Sequence, residues 1–253
     1  MSNRVALVTG SATGLGKRMI IDLAKEGYDV IINYRQSKEK ALSLKKEVEE
    51  TYHVKATCLQ GDISKFEDVE RIVNEALQIH GKIDILVNNA GPFVFDYKDL
   101  VDYSLEEWDS MLNGNMSSVF YLVKLLVPLM RENKWGRIIN FGFSDADSAP
   151  AWVHRSAYAA SKVGLVSLTK TLSLEEAKHG ITVNMVCPGD IVHPWKEATI
   201  EQTTQTNDAD DTPIGRVGSG EDISRVVRFL CDEKSDFITG AVIPVTGGKK
   251  SFV

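Results

Sequence analysis

Cysteine is scarce in this chain: Cys58, Cys187 and Cys231 are the whole set, and they lie far apart. An odd, sparse set cannot build a disulfide framework, and it fits a reducing cytoplasm. No C-x-x-C or H-E-x-x-H occurs, and the five histidines at 53, 80, 154, 179 and 193 are scattered. No structural or catalytic metal is therefore expected. Positive charge is not in excess, since the formal net charge is −6. A nucleic-acid binder would instead carry a basic patch or stripe. No apolar run approaches the length of a membrane span. The start, MSNRVALVTG, runs from a short apolar stretch straight into a glycine turn, unlike a secretory leader.

What the chain does have is ordinary globular composition, 43% apolar and 25% charged, and a strict alternation of two patterns. Short apolar runs read as strands: RVALV at 4–8, DVIINY at 29–34, VKATCL, KIDILVNN, GRIINF, ITVNMV and AVIPV. Between them lie helical periodicities at 14–27, at 38–52, in DVERIVNEALQIHG, from about Leu105 to Asn133, from Tyr158 to about His179, and in GEDISRVVRFLCDE. Repeated βαβ units predict a parallel sheet covered on both faces, a doubly wound α/β fold. Residues 1–253 read as one domain without a linker. The one long irregular stretch, 190–216, predicts a lid or substrate loop at about 190–213.

VTGSATGLGK, residues 8–17, falls where the first strand turns into the first helix. Gly10 permits a tight turn, Gly14 lets backbone approach a diphosphate, and Gly16 permits close helix–strand packing. The helix start offers unpaired N–H groups and a favourable dipole to an anion. Gly10, Thr13, Gly14, Leu15 and Gly16 are thus the candidate diphosphate contacts. This T-G-x-x-x-G-x-G, with NNAG at 88–91, Y-x-x-x-K at 158–162, PG at 188–189 and GG at 247–248, resembles the short-chain dehydrogenase/reductase family. The resemblance covers nearly the whole chain. It implies a Rossmann-type, seven-stranded parallel sheet that binds NAD or NADP.

The end of the second strand discriminates between those cofactors. An acidic residue there would hydrogen-bond a ribose 2′-OH and repel a 2′-phosphate. Here Tyr34 takes the acidic position and Arg35 follows, with Ser37 and Lys38 close behind. A guanidinium can pair with a phosphate, so the expected cofactor is NADP(H). By the same resemblance Asp62 and Ile63 flank the adenine, and Asn88, Ala90 and Gly91 line the ribose side. Pro188, Gly189 and the backbone at Ile191 would meet the nicotinamide end. His193 stands where relatives often have Thr.

Tyr158 and Lys162 are four residues apart, so in a helix they share one face. A tyrosine of pKa near ~10 needs help at neutral pH, and a nearby ammonium favours the phenolate. The resemblance makes Tyr158 the proton donor to a carbonyl oxygen and Lys162 its partner. It assigns Asn115, rather than Asn113, to a water relay. The fourth member, a serine, is displaced. Counting back thirteen residues from Tyr158 reaches Asp145, while counting forward from GRIIN reaches Phe143. Ser144 lies between and is the candidate. Asp145 is its rival, but a carboxyl would serve a carbonyl only if protonated, which needs burial. Loss of the function altogether is the third alternative.

Phe93, Phe95, Phe143, Trp152 and Trp195 suggest an apolar, aromatic-lined substrate pocket. The general pattern is most like 3-oxoacyl-[acyl-carrier-protein] reductases. That implies a small carbonyl substrate, carried on the acidic acyl carrier protein or free, with a quinone or pterin as other options. Lys134, Arg137, Lys178 and His179 are candidates to face such a carrier. Relatives form dimers or tetramers, so a homo-oligomer is expected. The alternative from another class is a catalytically weak NADP-binding regulatory or scaffold protein. An NAD-linked alcohol dehydrogenase would need an acidic residue where Tyr34 and Arg35 stand.

Overall fold

The computed structural model describes residues 3–206 and 212–249. Seven strands form one sheet: β1 (Val5–Val8), β2 (Asp29–Tyr34), β3 (Ala56–Gln60), β4 (Ile85–Asn88), β5 (Gly136–Phe141), β6 (Ile181–Pro188) and β7 (Val242–Val245). All pair in parallel, in the order β3-β2-β1-β4-β5-β6-β7. The helices are α1 (Gly14–Lys25), α2 (Lys38–Tyr52), α3 (Phe66–His80), α4 (Leu105–Leu112), α5 (Ser118–Asn133), α6 (Ser156–Glu176), α7 (Ile200–Thr204) and α8 (Gly220–Cys231).

The unbroken apolar strands follow from burial on both sides. Ala6 and Val8 of β1, Ile32 of β2 and Val87 of β4 join one core with Ile20 of α1, Leu44 of α2 and Ile223 of α8. Leu7, Ile31 and Leu86 point the other way, into a second core with Ile72 of α3 and Leu126 of α5. Each such side chain contributes about 1.5–3 kcal/mol on leaving water, so a polar residue on either face would be costly. A third, smaller cluster joins Phe143, Ala159, Leu165, Met185 and Cys187 beside α6.

The helix expected from Leu105 to Asn133 keeps those bounds as α4 and α5, which run on through one irregular turn. Asn113–Ser117 form a π-helical turn between α4 and α5. Tertiary contacts account for it: a Cβ on Gly114 would lie 2.3 Å from Pro92 Cδ, and Asn115 Nδ2 donates to the carbonyls of Met111 and Pro92. Such turns concentrate at functional sites. The 190–216 segment is also less irregular than its sequence. It holds a 3₁₀ turn at Trp195–Glu197 and the capped helix α7, while residues 207–211 lie outside the described residues.

The chain runs β1, β2, β3 in one direction and then crosses to β4 on the far side of β1. That reversal opens a crevice beyond the carboxyl ends of β1 and β4, the usual ligand position in this architecture. The cations expected to face an acyl carrier are not there. Lys134 precedes β5, and Lys178 and His179 precede β6, so all three sit at the amino ends of the strands. Arg137 is buried at that same end, with its guanidinium on the Trp135 ring. Among the described residues no helix is long and apolar enough to cross a membrane.

Candidate active site

Gly10 follows β1 with φ +60°, and a Cβ there would meet Ala90 Cβ at 2.8 Å. A Cβ on Gly16 would lie 2.6 Å from the Gly10 carbonyl oxygen. Both positions therefore require the bare backbone. The loop is braced from either side. Thr9 Oγ1 accepts from the amides of Asn89 and Ala90, and Asn33 Oδ1 accepts from Gly10 N at 3.0 Å. Thr13 precedes α1 in extended conformation and makes no side-chain cap. The Gly14 amide instead donates to Glu197 Oε1 at 2.8 Å. Leu15 packs half-buried against the first core.

A cavity opens past the carboxyl ends of β1 to β4, walled by Gly10, Arg35, Asp62, Ile63, Ala90 and Gly91 among others. Burial pushes the Asp62 carboxyl up, but hydrogen bonds from Ser64 and the Arg35 guanidinium outweigh it and hold it below the usual range. Arg35 is largely exposed, 3.5 Å from Asp62 Oδ2, whereas the Tyr34 side chain is buried in the core. Gly91 is pressed on Asn115, since a Cβ would come within 2.2 Å of its Oδ1. Asn88 Oδ1 and Asn115 Oδ1 are both buried without a hydrogen-bond partner. Glycine-lined space next to orphaned carbonyl oxygens suits a polar ligand, because such groups are costly when unpaired. The floor thus fits a dinucleotide.

At the start of α6, Lys162 is buried and donates from Nζ to the Phe141 carbonyl at 2.9 Å. Its nitrogen stands 5.7 Å from the Tyr158 ring centroid. Three rings surround that tyrosine: Phe93 at 4.9 Å, Trp152 at 5.7 Å and Phe143 at 6.2 Å. Trp195 is not among them and packs on the first core. The enclosure reverses an expectation. Instead of being lowered by the ammonium, the Tyr158 phenol is pushed up to about 12 by burial. Lys162 itself is pulled down to about 8 by burial. For both groups desolvation is the leading cause, and it disfavours the charged form of each.

Ser144 is buried, while Asp145, in a left-handed turn with φ +61°, is exposed. Asp145 therefore lacks the burial that its rival role needs. Asn115 is buried in the π-turn, and α6 packs on that turn, where a Cβ on Gly164 would meet Met116 Sδ at 2.9 Å. Asn113, by contrast, is half-buried and accepts from Ser117 Oγ.

A second cavity lies past β6 and β7, with Gly189, Ile191, Gly247 and Gly248 in its wall. Pro188 ends β6, and Gly189 N donates to the Val245 carbonyl. The Ile191 amide is spent on the Gly189 carbonyl, and His193 is exposed. Three groups in the site escaped the sequence reading. Arg155 donates to the carbonyls of Phe95 and Asp96 and lies over the rings of Phe93 and Tyr97, so it shapes the 92–98 loop. A buried line, Asn88 Nδ2 to Asn140 Oδ1 and Asn140 Nδ2 to Thr169 Oγ1, lies beneath. Glu197 reaches the glycine loop. Asparagine within strands was the available signal for the second of these, since strands disfavour it.

A family model described as enoyl-(acyl carrier protein) reductase matches residues 10–250. YtkK of Bacillus subtilis (strain 168), named only as an oxidoreductase, is 50% identical over 97% of this chain and 96% of its own. The 3-oxoacyl-[acyl-carrier-protein] reductase FabG of Staphylococcus epidermidis is 35% identical over 97% of this chain and 98% of its own. Among solved structures, a 3-oxoacyl-reductase from Bacillus thuringiensis superposes with TM-score 0.92 at 48% identity, covering 100% of both chains. The acetoin dehydrogenase YohF from Salmonella typhimurium gives 0.87 at 30% identity, covering 98% of this chain and 96% of that one. The parallel seven-stranded sheet, the glycine loop after β1 and the Tyr158–Lys162 helix thus coincide with these likenesses, and the chain belongs to the short-chain dehydrogenase/reductase family, oxidoreductases that work with nicotinamide cofactors.

Proposed function

We propose that the protein is an NADP(H)-dependent carbonyl reductase in which Tyr158 delivers the proton. The observation that carries this is the buried Lys162 nitrogen 5.7 Å from the ring centroid of Tyr158, which Phe93, Trp152 and Phe143 flank. When bound, the cofactor supplies the hydride. With its pKa near 12 the phenol is fully protonated at neutral pH, so its hydroxyl is a donor and not a base in the resting site. With a pKa near 8, Lys162 is still mostly charged at pH 7 and stabilises the phenolate left as the proton departs. Ser144 Oγ orients the substrate carbonyl, and Asn115 holds a water that returns protons toward Lys162.

The glycine loop and α1 hold the diphosphate, with Gly10, Thr13, Gly14, Leu15 and Gly16 in contact. Asp62 and Ile63 take the adenine, and Asn88, Ala90 and Gly91 the ribose side. Pro188, Gly189 and Ile191 meet the nicotinamide. Arg35 is exposed at the ribose end with Tyr34 turned inward, so no carboxylate at the end of β2 opposes a 2′-phosphate. Phe93, Phe143 and Trp152 give the substrate an apolar wall, which favours a compact apolar ketone or a short 3-oxoacyl thioester. The named relatives, 3-oxoacyl reductases and an acetoin dehydrogenase, fall on either side of that choice. Exposed Leu105 and Phe120 on α4 and α5, and Phe229 on α8, support a dimer or tetramer.

The test is a single-turnover assay. Protein and NADPH are mixed with short 3-oxoacyl thioesters, diketones, acetoin and quinones, and loss of nicotinamide absorbance is followed. Tyr158→Phe should lose about 10²–10⁴-fold in rate while still binding NADPH. Phe143 and Trp152 packed on Tyr158 favour a second reading, a cofactor-binding protein with little chemistry. Tight NADPH binding with no oxidation by any compound would select that reading.

A further inference from the structure

We infer that Glu197 is a built-in competitor of the cofactor's phosphates at the glycine loop, so that cofactor binding has to expel it. The inference rests on the reading of that loop as the diphosphate site. Helix α1 opens with no acidic residue in its first turn and no side-chain cap from Thr13. The acceptor at its Gly14 amide arrives from a segment 183 residues away, as Glu197 Oε1 at 2.8 Å. The second oxygen of the same carboxylate pairs with Lys17 Nζ at 2.9 Å. A carboxylate held by one loop amide and one lysine imitates a phosphate in charge and in acceptor geometry. Burial pushes the Glu197 carboxyl up, yet the Gly14 amide and Lys17 hold it below the ordinary range, so it is anionic at neutral pH.

One amide hydrogen cannot serve both anions, and two anions at one helix start repel. The Trp195–Glu197 turn is tied onward, because the Glu221 amide donates to the Ala198 carbonyl and the Ile200 amide donates to Glu221. Glu197 is therefore presented to the loop by a structured segment. Cofactor affinity is then reduced by the fraction of molecules in which Glu197 holds the loop.

The experiment measures binding, not turnover. NADPH, inorganic pyrophosphate and adenosine are titrated by calorimetry against the wild type, Glu197→Ala and Glu197→Gln. Unfolding midpoints of the three proteins are compared as a check of fold. Glu197→Ala should bind NADPH about tenfold more tightly. Pyrophosphate should shift in the same direction, while adenosine, which lacks phosphate, should not change. Glu197→Gln should fall between, since an amide oxygen can still accept from Gly14 but does not pair with Lys17. Equal or weaker NADPH binding by Glu197→Ala would overturn the inference, and weaker binding would make Glu197 part of the cofactor site. A wild type that binds neither NADPH nor NADH would overturn the diphosphate reading, and the inference with it.

Discussion

Replacing Lys162 with methionine should separate stability from activity in a pH-dependent way. The side chain is 4% exposed, and burial pulls its amine from the ordinary 10.5 down to about 8. At roughly 1.4 kcal/mol per tenfold, holding that ammonium charged at pH 7 costs the fold on the order of 3 kcal/mol. The sign follows from the folded value lying below the unfolded one. The cost is fully present below pH 8, falls as pH rises from 8 to 10.5, and is gone above that. In that window the unfolded chain binds the extra proton, so wild-type stability gains a rising contribution with pH. Methionine has no such contribution. Tyr158 and Cys187, both pushed up to about 12, titrate in both proteins, so their contributions largely cancel in the difference. Loss of the bond to the Phe141 carbonyl offsets about 1.5–3 kcal/mol of the gain at pH 7, which brings the two proteins close there. By pH 10 the balance should have moved toward the wild type by an amount on the order of 2–3 kcal/mol. Urea unfolding at pH 7 and pH 10 reads this directly, and turnover of the variant should collapse at both. A stability gap that is the same at the two pH values would refute the claim that Lys162 is charged and desolvated.

Three other substitutions test the site. In Gly91→Ala the new Cβ would sit 2.2 Å from Asn115 Oδ1, so the fold should lose about 1–3 kcal/mol. An unchanged melting temperature would show that the two loops are not pressed together. Arg35→Ala should weaken NADPH binding by about ten- to hundredfold, the worth of a charge-assisted hydrogen bond, and leave NADH nearly unaffected. A parallel loss of both would remove Arg35 from the 2′-phosphate. Trp152→Ala removes a ring 5.7 Å from Tyr158, so kcat/KM should rise for bulkier ketones relative to acetoin. If the ranking of substrates does not move, the ring wall does not select them.

The fold was legible because its signals are local. An apolar run such as VALV at 5–8 must be a strand buried on both faces, and glycines at 10, 14 and 16 must mark a backbone turn. The candidates for the site came from spacing and resemblance, and the fold sets Tyr158 and Lys162 on one helix and buries Asn115 in the turn packed against it. The state of those residues was not legible, because the atoms that decide it come from elsewhere. Phe93 and Trp152 enclose Tyr158 from two separate loops, and that burial reverses the direction of its pKa. The π-helical turn in the long helix meets Pro92, 22 residues earlier in the chain, through Gly114, a contact no local pattern announces. Ser144 and its neighbour Asp145 differ in burial, since the backbone turns left-handed at Asp145 and leaves that carboxylate in water while Ser144 stays buried. Glu197 had no signal at all, since a glutamate in a polar loop reads as solvated until the fold carries it to Gly14. Chemistry that depends on spacing along one helix can thus be read from this sequence, whereas affinity and substrate choice depend on loops meeting across the sheet's carboxyl edge. Substitutions at Glu197 and Trp152 should accordingly change what the protein binds without changing how it folds.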